Sequence, residues 1–120
     1  MITAAAVSAA FVVAAPAAEA TTVHAAKSWT LPGPAGTKAW GSATKWSDTS
    51  TLVTVNIKAR GHGWNTILKL GSKHTITIPV GGTAHPRPVV VVGKTVKAQL
   101  CIHHRGLRDA CTRERTIYKR

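Results

Sequence analysis

The pattern that most constrains this chain lies near its C-terminus, where apolar and polar residues alternate. From Thr95 to Ile102, every second residue is apolar. These positions are Val96, Ala98, Leu100 and Ile102. A period of two residues is typical of a β-strand with one buried face. A polar turn with Gly106 follows, and the segment 113–119 reads as a returning strand. The region therefore predicts a β-hairpin.

Cys101 and Cys111, the only two cysteines, flank this turn. If the chain is exported, its two cysteines indicate one disulfide, which by chain-entropy reasoning stabilises a loop this short by somewhat under ~3 kcal/mol. If Cys101 and Cys111 face outward, the alternation places Lys97 and Gln99 on their face, together with Arg113, Arg115 and Lys119. Ile117 would also face outward, so we expect either a β-bulge or separate packing of that residue.

The first 20 residues predict a signal peptide. Ala4–Ala18 is small and apolar, and Ala18-Glu19-Ala20 fits an A-x-A cleavage site, so the mature chain is expected to begin at Thr21. No basic residue precedes the run, which suggests a translation start further upstream, and the alternative is a buried Ala-rich helix. The run is short for a membrane span, and no later run approaches that length. We predict a secreted, extracellular protein with no membrane span in the mature chain.

Residues 51–120 predict an all-β domain. Runs rich in Val, Ile and Thr are separated by Gly- and Pro-containing turns, and no helical period stands out. Besides the hairpin, the expected strands are 51–58, 64–70, 74–80 and 89–92. We predict a small antiparallel β-sandwich or barrel of immunoglobulin-like shape, although the two cysteines are too close in sequence for a true immunoglobulin domain.

Residues 21–50 read as an extended N-terminal arm. The segment contains Pro32-Gly33-Pro34 and three of the four tryptophans, Trp29, Trp40 and Trp46. Pro-Gly-Pro disfavours regular structure. An exposed indole leaves a large apolar area in water, so these tryptophans require a covering surface. Three alternatives remain: the arm packs on its own sheet, it docks on a partner protein, or it stacks on carbohydrate.

Charge restricts the partners. The chain carries 16 Lys and Arg against four Asp and Glu, for a formal net charge of +12. Such a field concentrates acidic proteins and polyanions, including anionic cell-wall polymers. Nucleic acid is not expected, because the chain is exported and has no nucleic-acid-binding motif. A surface tuned only for solubility is the plain alternative.

Catalytic chemistry has little support in the sequence. Only Asp48, Asp109 and Glu114 remain as acids after the leader, and they form no evident acid/base pair. The neighbouring His103 and His104 would point to opposite faces of a strand, which disfavours a shared metal. We therefore predict no catalytic, cofactor-binding or metal-binding residues, and no enzyme.

The leader, the Thr/Val-rich body and the late Leu100-Cys101 and Asp109-Ala110-Cys111 segments resemble small secreted β-domain proteins of actinobacteria. Within that group, an extended arm before a small β-domain is similar to the adaptor subunit of umbrella toxin particles. That resemblance implies an arm bound to a lectin-like partner and a β-domain docked on a stalk subunit.

The sequence thus predicts a secreted, non-catalytic protein-interaction module that docks through its arm or its basic hairpin face. The candidate contact residues are Trp29, Trp40, Trp46, Lys97, Arg105, Arg108, Arg113 and Arg115. The alternatives are a protease inhibitor that presents the Arg105–Arg108 loop, and a binder of anionic cell-wall polymer.

Overall fold

The structure, a computed structural model, describes residues 25–120, which form two antiparallel sheets packed face to face. The strands are β1 (Lys27–Pro32), β2 (Lys38–Ser47), β3 (Ser50–Ala59), β4 (Asn65–Leu70), β5 (His74–Ile78), β6 (Gly82–Ala84), β7 (Val89–Val92), β8 (Thr95–His103), β9 (Ala110–Cys111) and β10 (Arg115–Lys119). A 3-10 turn at Pro34–Gly36 joins β1 to β2. The all-β, two-sheet prediction is confirmed. The predicted leader and cleavage site lie outside the described residues.

Each sheet is built around one long central strand. In the first sheet the order is β1-β2-β3, and β6 and β7 pair end to end along the free side of β3. In the second sheet β8 lies between β4 and the two short strands β9 and β10, and β5 completes the other edge. In each sheet, one edge is thus formed by two short strands with an interruption between them. The interruption between β6 and β7 is His85-Pro-Arg-Pro88, whose prolines have no N–H for a ladder hydrogen bond.

The core lies between the facing sides of β3 and β8. Their alternating apolar residues point inward and are buried, as the period-two pattern predicts. From β3 these are Val53, Val55 and Ile57, and from β8 they are Val96, Ala98 and Leu100. Leu68 and Leu70 of β4 and Leu31 of β1 are also fully buried. A continuous apolar layer therefore joins the two sheets.

The predicted arm is the first point that the structure corrects: of the three alternatives, the segment from Lys27 onward follows the first and packs on its own sheet. From Lys27 onward the segment forms β1, which pairs with β2, and β2, which pairs with β3, so the predicted boundary after residue 50 falls inside β3. Trp29 is only 5% exposed and belongs to the core. The core-facing residues of β2 near it are small, Ala39 and Ala43. Small side chains leave room for the indole but give little apolar signal in the sequence, so the sequence indicates only short strands in this segment and not the ten residues of β2.

The return strand of the hairpin is the second correction. Cys111 pairs with Cys101, but Arg115 pairs with Ala98 and not with Lys97, because the ladder slips by one residue between β9 and β10. Arg115 therefore shares the core-facing side of the edge strand, although it stays exposed there. The predicted basic face loses Arg115 but keeps Lys97.

The register shifts again at Ile117, so the expected β-bulge is present there. Beyond the bulge, Tyr118 pairs with Val96 and is buried in the core. Cys101 was expected to be exposed and is only 1% exposed. Its neighbours on the two sides, Ile67 and Cys111, flank the small side chain and shield it from water.

The difference between a core strand and a docking arm is testable with two tryptophans of the same segment. We expect Trp29→Ala to lower the free energy of unfolding by about 3–5 kcal/mol, because it empties a buried site. Trp46 is 60% exposed, so Trp46→Ala should change stability by less than about 0.5 kcal/mol. Urea unfolding followed by circular dichroism measures both. Equal stability of the two variants would show that β1 does not belong to the core.

The turn between β3 and β4 places a non-glycine residue in the left-handed region. His62 has φ 55° and Gly63 has φ 83°, and Trp64 N–H donates to Gly61 O at 3.1 Å. Positive φ at both central residues is the type I′ geometry of two-residue hairpins. His62 is exposed, so its backbone conformation, and not its packing, determines the effect of a substitution.

We expect His62→Val to destabilise the protein by about 1–2 kcal/mol, because a β-branched residue is poorly accommodated at positive φ. His62→Asn is the matched control and should leave stability unchanged or slightly raised, since Asn tolerates this conformation. Thermal unfolding of the two variants side by side is the measurement. Indistinguishable variants would contradict the type I′ turn.

Candidate functional site

A disulfide-closed loop projects from one end of the sandwich. Cys101 of β8 and Cys111 of β9 lie directly opposite each other and are joined by the predicted disulfide. Between them the chain reverses in a tight turn, where Leu107 N–H donates to His104 O at 3.0 Å. Arg105 and Gly106 are its two central residues, and Gly106 takes φ 80°. The loop is therefore covalently closed at its base and hydrogen-bonded at its tip.

A polar contact braces the loop between the base and the tip. His103 Nδ1 donates to Asp109 Oδ1 at 2.5 Å, which joins the outgoing and returning sides of the loop. His103 is itself the last residue of β8 and pairs with Asn65 of β4. The loop is thus tied to the second sheet as well as to itself. Such ties reduce the number of conformations that binding would have to freeze.

An aromatic contact connects the loop to the β3–β4 turn. The ring centroids of His104 and Trp64 are 5.1 Å apart, with their planes tilted by 54°. On Trp64 also lies the Arg60 guanidinium, whose carbon is 4.8 Å from the ring centroid. Gly63 approaches His104 so closely that a Cβ atom there would lie 3.2 Å from His104 Nε2. The turn and the loop therefore pack as one unit.

Arg60 is held firmly in this unit. Its backbone N–H donates to the buried hydroxyl of Thr66 at 3.0 Å. Its Nε atom is buried and has no hydrogen-bond partner among the described residues, and its guanidinium lies over the ring of Trp64. A cation above an indole face is attracted by the ring quadrupole. The stack places one more positive charge beside the loop.

The tip of the loop is apolar and basic at once. Leu107 is 55% exposed, and Arg105 and Arg108 on either side of it are also exposed. Below we use "loop surface" for a set of six residues. They are Arg60, Trp64, His104, Arg105, Leu107 and Arg108.

The structure separates the residues that the sequence grouped as contacts. Arg105 and Arg108 lie together on the loop, whereas Lys97 is exposed on the outer side of β8. Arg113 lies between β9 and β10, and Arg115 lies on β10, so neither belongs to the loop. The tryptophans differ in exposure: Trp29 is buried, Trp40 is half-buried beside Lys38, and Trp46 is exposed at the far end of the sandwich. The described residues therefore offer no continuous tryptophan surface.

Sequence reasoning missed Trp64, His104 and Leu107 as candidate contacts. Trp64 was counted only as the start of a strand, and its stacking depends on the meeting of two turns that are about 40 residues apart in sequence. Leu107 did carry a signal. An apolar residue between two arginines, within a short loop closed by a disulfide, has no chain length with which to reach the core.

Opening the disulfide should loosen the loop without unfolding the sheets. We expect Cys101→Ala with Cys111→Ala to lower the free energy of unfolding by about 2–3 kcal/mol. Trypsin should then cut after Arg105 or Arg108 faster than in the wild type, because the closed loop is what limits their accommodation in a protease. Urea unfolding and timed proteolysis with mass spectrometry measure the two effects. Unchanged cleavage rates would show that the disulfide does not hold the loop.

Among residues 25–120, no group of three or more His, Cys, Asp and Glu side chains is arranged to hold a metal ion. In the same part of the chain, no helix is long and apolar enough to cross a membrane. Comparison with known proteins found no matching family model, no matching curated protein and no matching solved structure.

Proposed function

We propose that the chain is an exported, non-catalytic binding module that docks on an acidic protein surface through the loop surface. The observation that carries the proposal is Leu107. It is a largely exposed apolar side chain between two exposed arginines, on a loop fixed by a disulfide, a hydrogen bond and an aromatic contact. A side chain in this position gains from being covered, and nothing in the described chain covers it.

The energetics favour a protein partner. Complete burial of a leucine side chain contributes about 1.5–3 kcal/mol, and a rigid loop loses little conformational entropy when it binds. Arg and Trp are the residue types most often found among the dominant contacts of protein interfaces, and the loop surface supplies three arginines and Trp64. Its centre is apolar and its rim is charged, which is the usual layout of such interfaces.

The charge distribution favours an acidic partner. Arg60, Arg105 and Arg108 are the charged residues of the loop surface, and the adjacent carboxylate, Asp109, is already engaged with His103. Charges at the rim of an interface mainly accelerate association and exclude partners of the same sign. The formal net charge of +12 acts in the same direction over a longer range.

Export is supported by the disulfide and by the leader predicted from the sequence. Disulfides persist in oxidising compartments, and the bond between Cys101 and Cys111 is present in the fold. The sequence suggested that the whole segment 21–50 could dock on a partner. Fewer residues are left for this role, because the part from Lys27 onward is already paired within the first sheet. Any free arm is therefore limited to residues before Lys27.

The conformation of the loop makes the protease inhibitor a weaker alternative. A substrate-like inhibitor offers an extended segment to the protease, with the arginine at its middle. Here Arg105 and Gly106 form the centre of a reverse turn, and Gly106 takes a positive φ. The same arginine on a tight turn is better suited to contact a flat or acidic surface than to enter an active-site cleft.

The test immobilises the mature chain and exposes it to the exported proteins of the producing cells. We expect the wild type to retain a protein partner in stoichiometric amount. Leu107→Asp should reduce retention of the partner at least tenfold. The substitution removes the apolar contact and adds a negative charge that repels an acidic partner. Arg105→Gln with Arg108→Gln should slow association and reduce its dependence on salt.

The control is Val92→Asp, which makes the same change of charge at an exposed apolar residue of β7, away from the loop surface. It should retain the partner as the wild type does. If Leu107→Asp and Val92→Asp behave alike, or if no protein is retained at all, the proposal is wrong.

A further inference from the structure

A second basic site lies at the end of the sandwich opposite the loop surface. Here the β2–β3 turn, the start of β8 and the end of β10 surround an open cleft of about 700 Å³. Below we call it the basic cleft. Its charged and aromatic lining residues are Lys27, Lys45, Asp48, Lys94, Tyr118 and Arg120. The loop surface lies at the C-terminal end of β3, where Arg60 follows the last residue of the strand. The basic cleft lies at the N-terminal end of β3, so the ten residues of this strand separate the two sites.

The lining residues come from four different strands or their ends, and backbone contacts hold them in place. Arg120 N–H donates to Lys94 O at 3.2 Å, which fixes the end of β10 against the start of β8. The guanidinium of Arg120 also donates to Ser50 O at the start of β3. The fold therefore holds the backbones of Lys94 and Arg120 next to each other, and the Arg120 guanidinium is fixed as well.

Lys27 closes the same side of the cleft. Its Nζ donates to Lys119 O at 3.0 Å and lies 5.5 Å from the centroid of the Tyr118 ring. Tyr118 is buried and pairs with Val96, so its ring is a rigid part of the wall. The contact places the ammonium of Lys27 beside the cleft, over the face of the tyrosine ring.

The positive charge of the cleft is incompletely neutralised. Lys45 and Asp48 form an ion pair at 3.2 Å, and Asp48 is the only acidic side chain in the lining. Lys27, Lys94 and Arg120 have no ion pair with a side chain among the described residues. Three cations that converge on one open cleft repel each other, and an anion would relieve that repulsion.

From this arrangement we propose that the basic cleft binds a phosphate-bearing chain, such as an oligophosphate or a phosphodiester polymer. An oligophosphate carries more negative charge than a carboxylate chain of the same length, and a phosphodiester polymer adds one negative charge with two free acceptor oxygens per unit, so either chain can pair with several of the three unpaired cations. Arginine suits the paired oxygens of phosphate, and lysines add point charges around it. A cleft of about 700 Å³ has room for several linked phosphates, so a chain would engage more of the cations than a single ion.

The proposal is independent of the docking function of the loop surface, because the two sites share no residue. It also assigns a location to the polyanion binding that composition alone left unplaced. Its salt dependence should be steep, since binding of a polyanion by lysine and arginine releases counterions, as it does for other phosphate polymers.

The experiment measures binding of inorganic phosphate, tripolyphosphate and poly(glycerol phosphate) by isothermal titration calorimetry, at two salt concentrations. We expect tripolyphosphate and poly(glycerol phosphate) to bind at least tenfold more tightly than inorganic phosphate. Polygalacturonate, a carboxylate polymer with a lower charge density, should bind at least tenfold more weakly than tripolyphosphate. Lys94→Gln with Arg120→Gln should weaken binding of both phosphate chains at least tenfold.

The matched control is Lys69→Gln with Arg87→Gln, which removes one lysine and one arginine from exposed positions outside the cleft. It should change affinity less than twofold. Equal losses in the two double variants would mean that only the net charge attracts the polymer, and equal binding of polygalacturonate would mean that phosphate is not selected. Either result overturns the proposal.

Arg120 also contacts Ser50, so the double variant is first checked by thermal unfolding. If it is destabilised, the single variant Lys94→Gln replaces it, because Lys94 is exposed and its backbone carbonyl keeps the contact with Arg120. The single variant should still weaken tripolyphosphate binding at least threefold, and an unchanged affinity would contradict the site.

Discussion

The structure depends on the burial of two facing rows of side chains, one on β3 and one on β8. Both strands alternate apolar and polar residues along their length, and the apolar rows meet between the sheets. Most other strands of the described chain pair directly with β3 or β8. The two edge strands β1 and β5 pair with β2 and β4, which are neighbours of β3 and β8. Because side chains alternate with a period of two, this burial also decides which polar residues stand outside.

That dependence explains why a small irregularity has a large effect at the C-terminal edge. The ladder between β8 and the return strand slips once before Arg115 and again at Ile117. The first slip moves Arg115 to the core-facing side, and the second allows Tyr118 to enter the core. Tyr118 then forms part of the basic cleft wall, so the bulge links the packing of the sheet to the shape of a candidate site.

The two ends of the sandwich carry different chemistry on one rigid frame. At one end, a covalently closed loop presents a leucine between arginines beside a Trp–His–Arg stack. At the other end, cations from several strands converge on an open cleft. A protein surface and a phosphate chain could thus be bound at the same time, because the ten residues of β3 separate the two sites. The fold would then bridge the two ligands that we propose.

The sequence by itself determined the fold class, the longer strands of the C-terminal half, the disulfide and an irregularity at Ile117, because alternation and cysteine spacing are local signals. It could not show that β1 and β2 belong to the first sheet, since the core side of β2 is made of small residues that complement Trp29 only after the sheets have packed. Nor could it place the candidate sites. The stack of Trp64 on His104 and the meeting of Lys27, Lys94 and Arg120 join positions far apart along the chain, and only the pairing of distant strands brings such residues together.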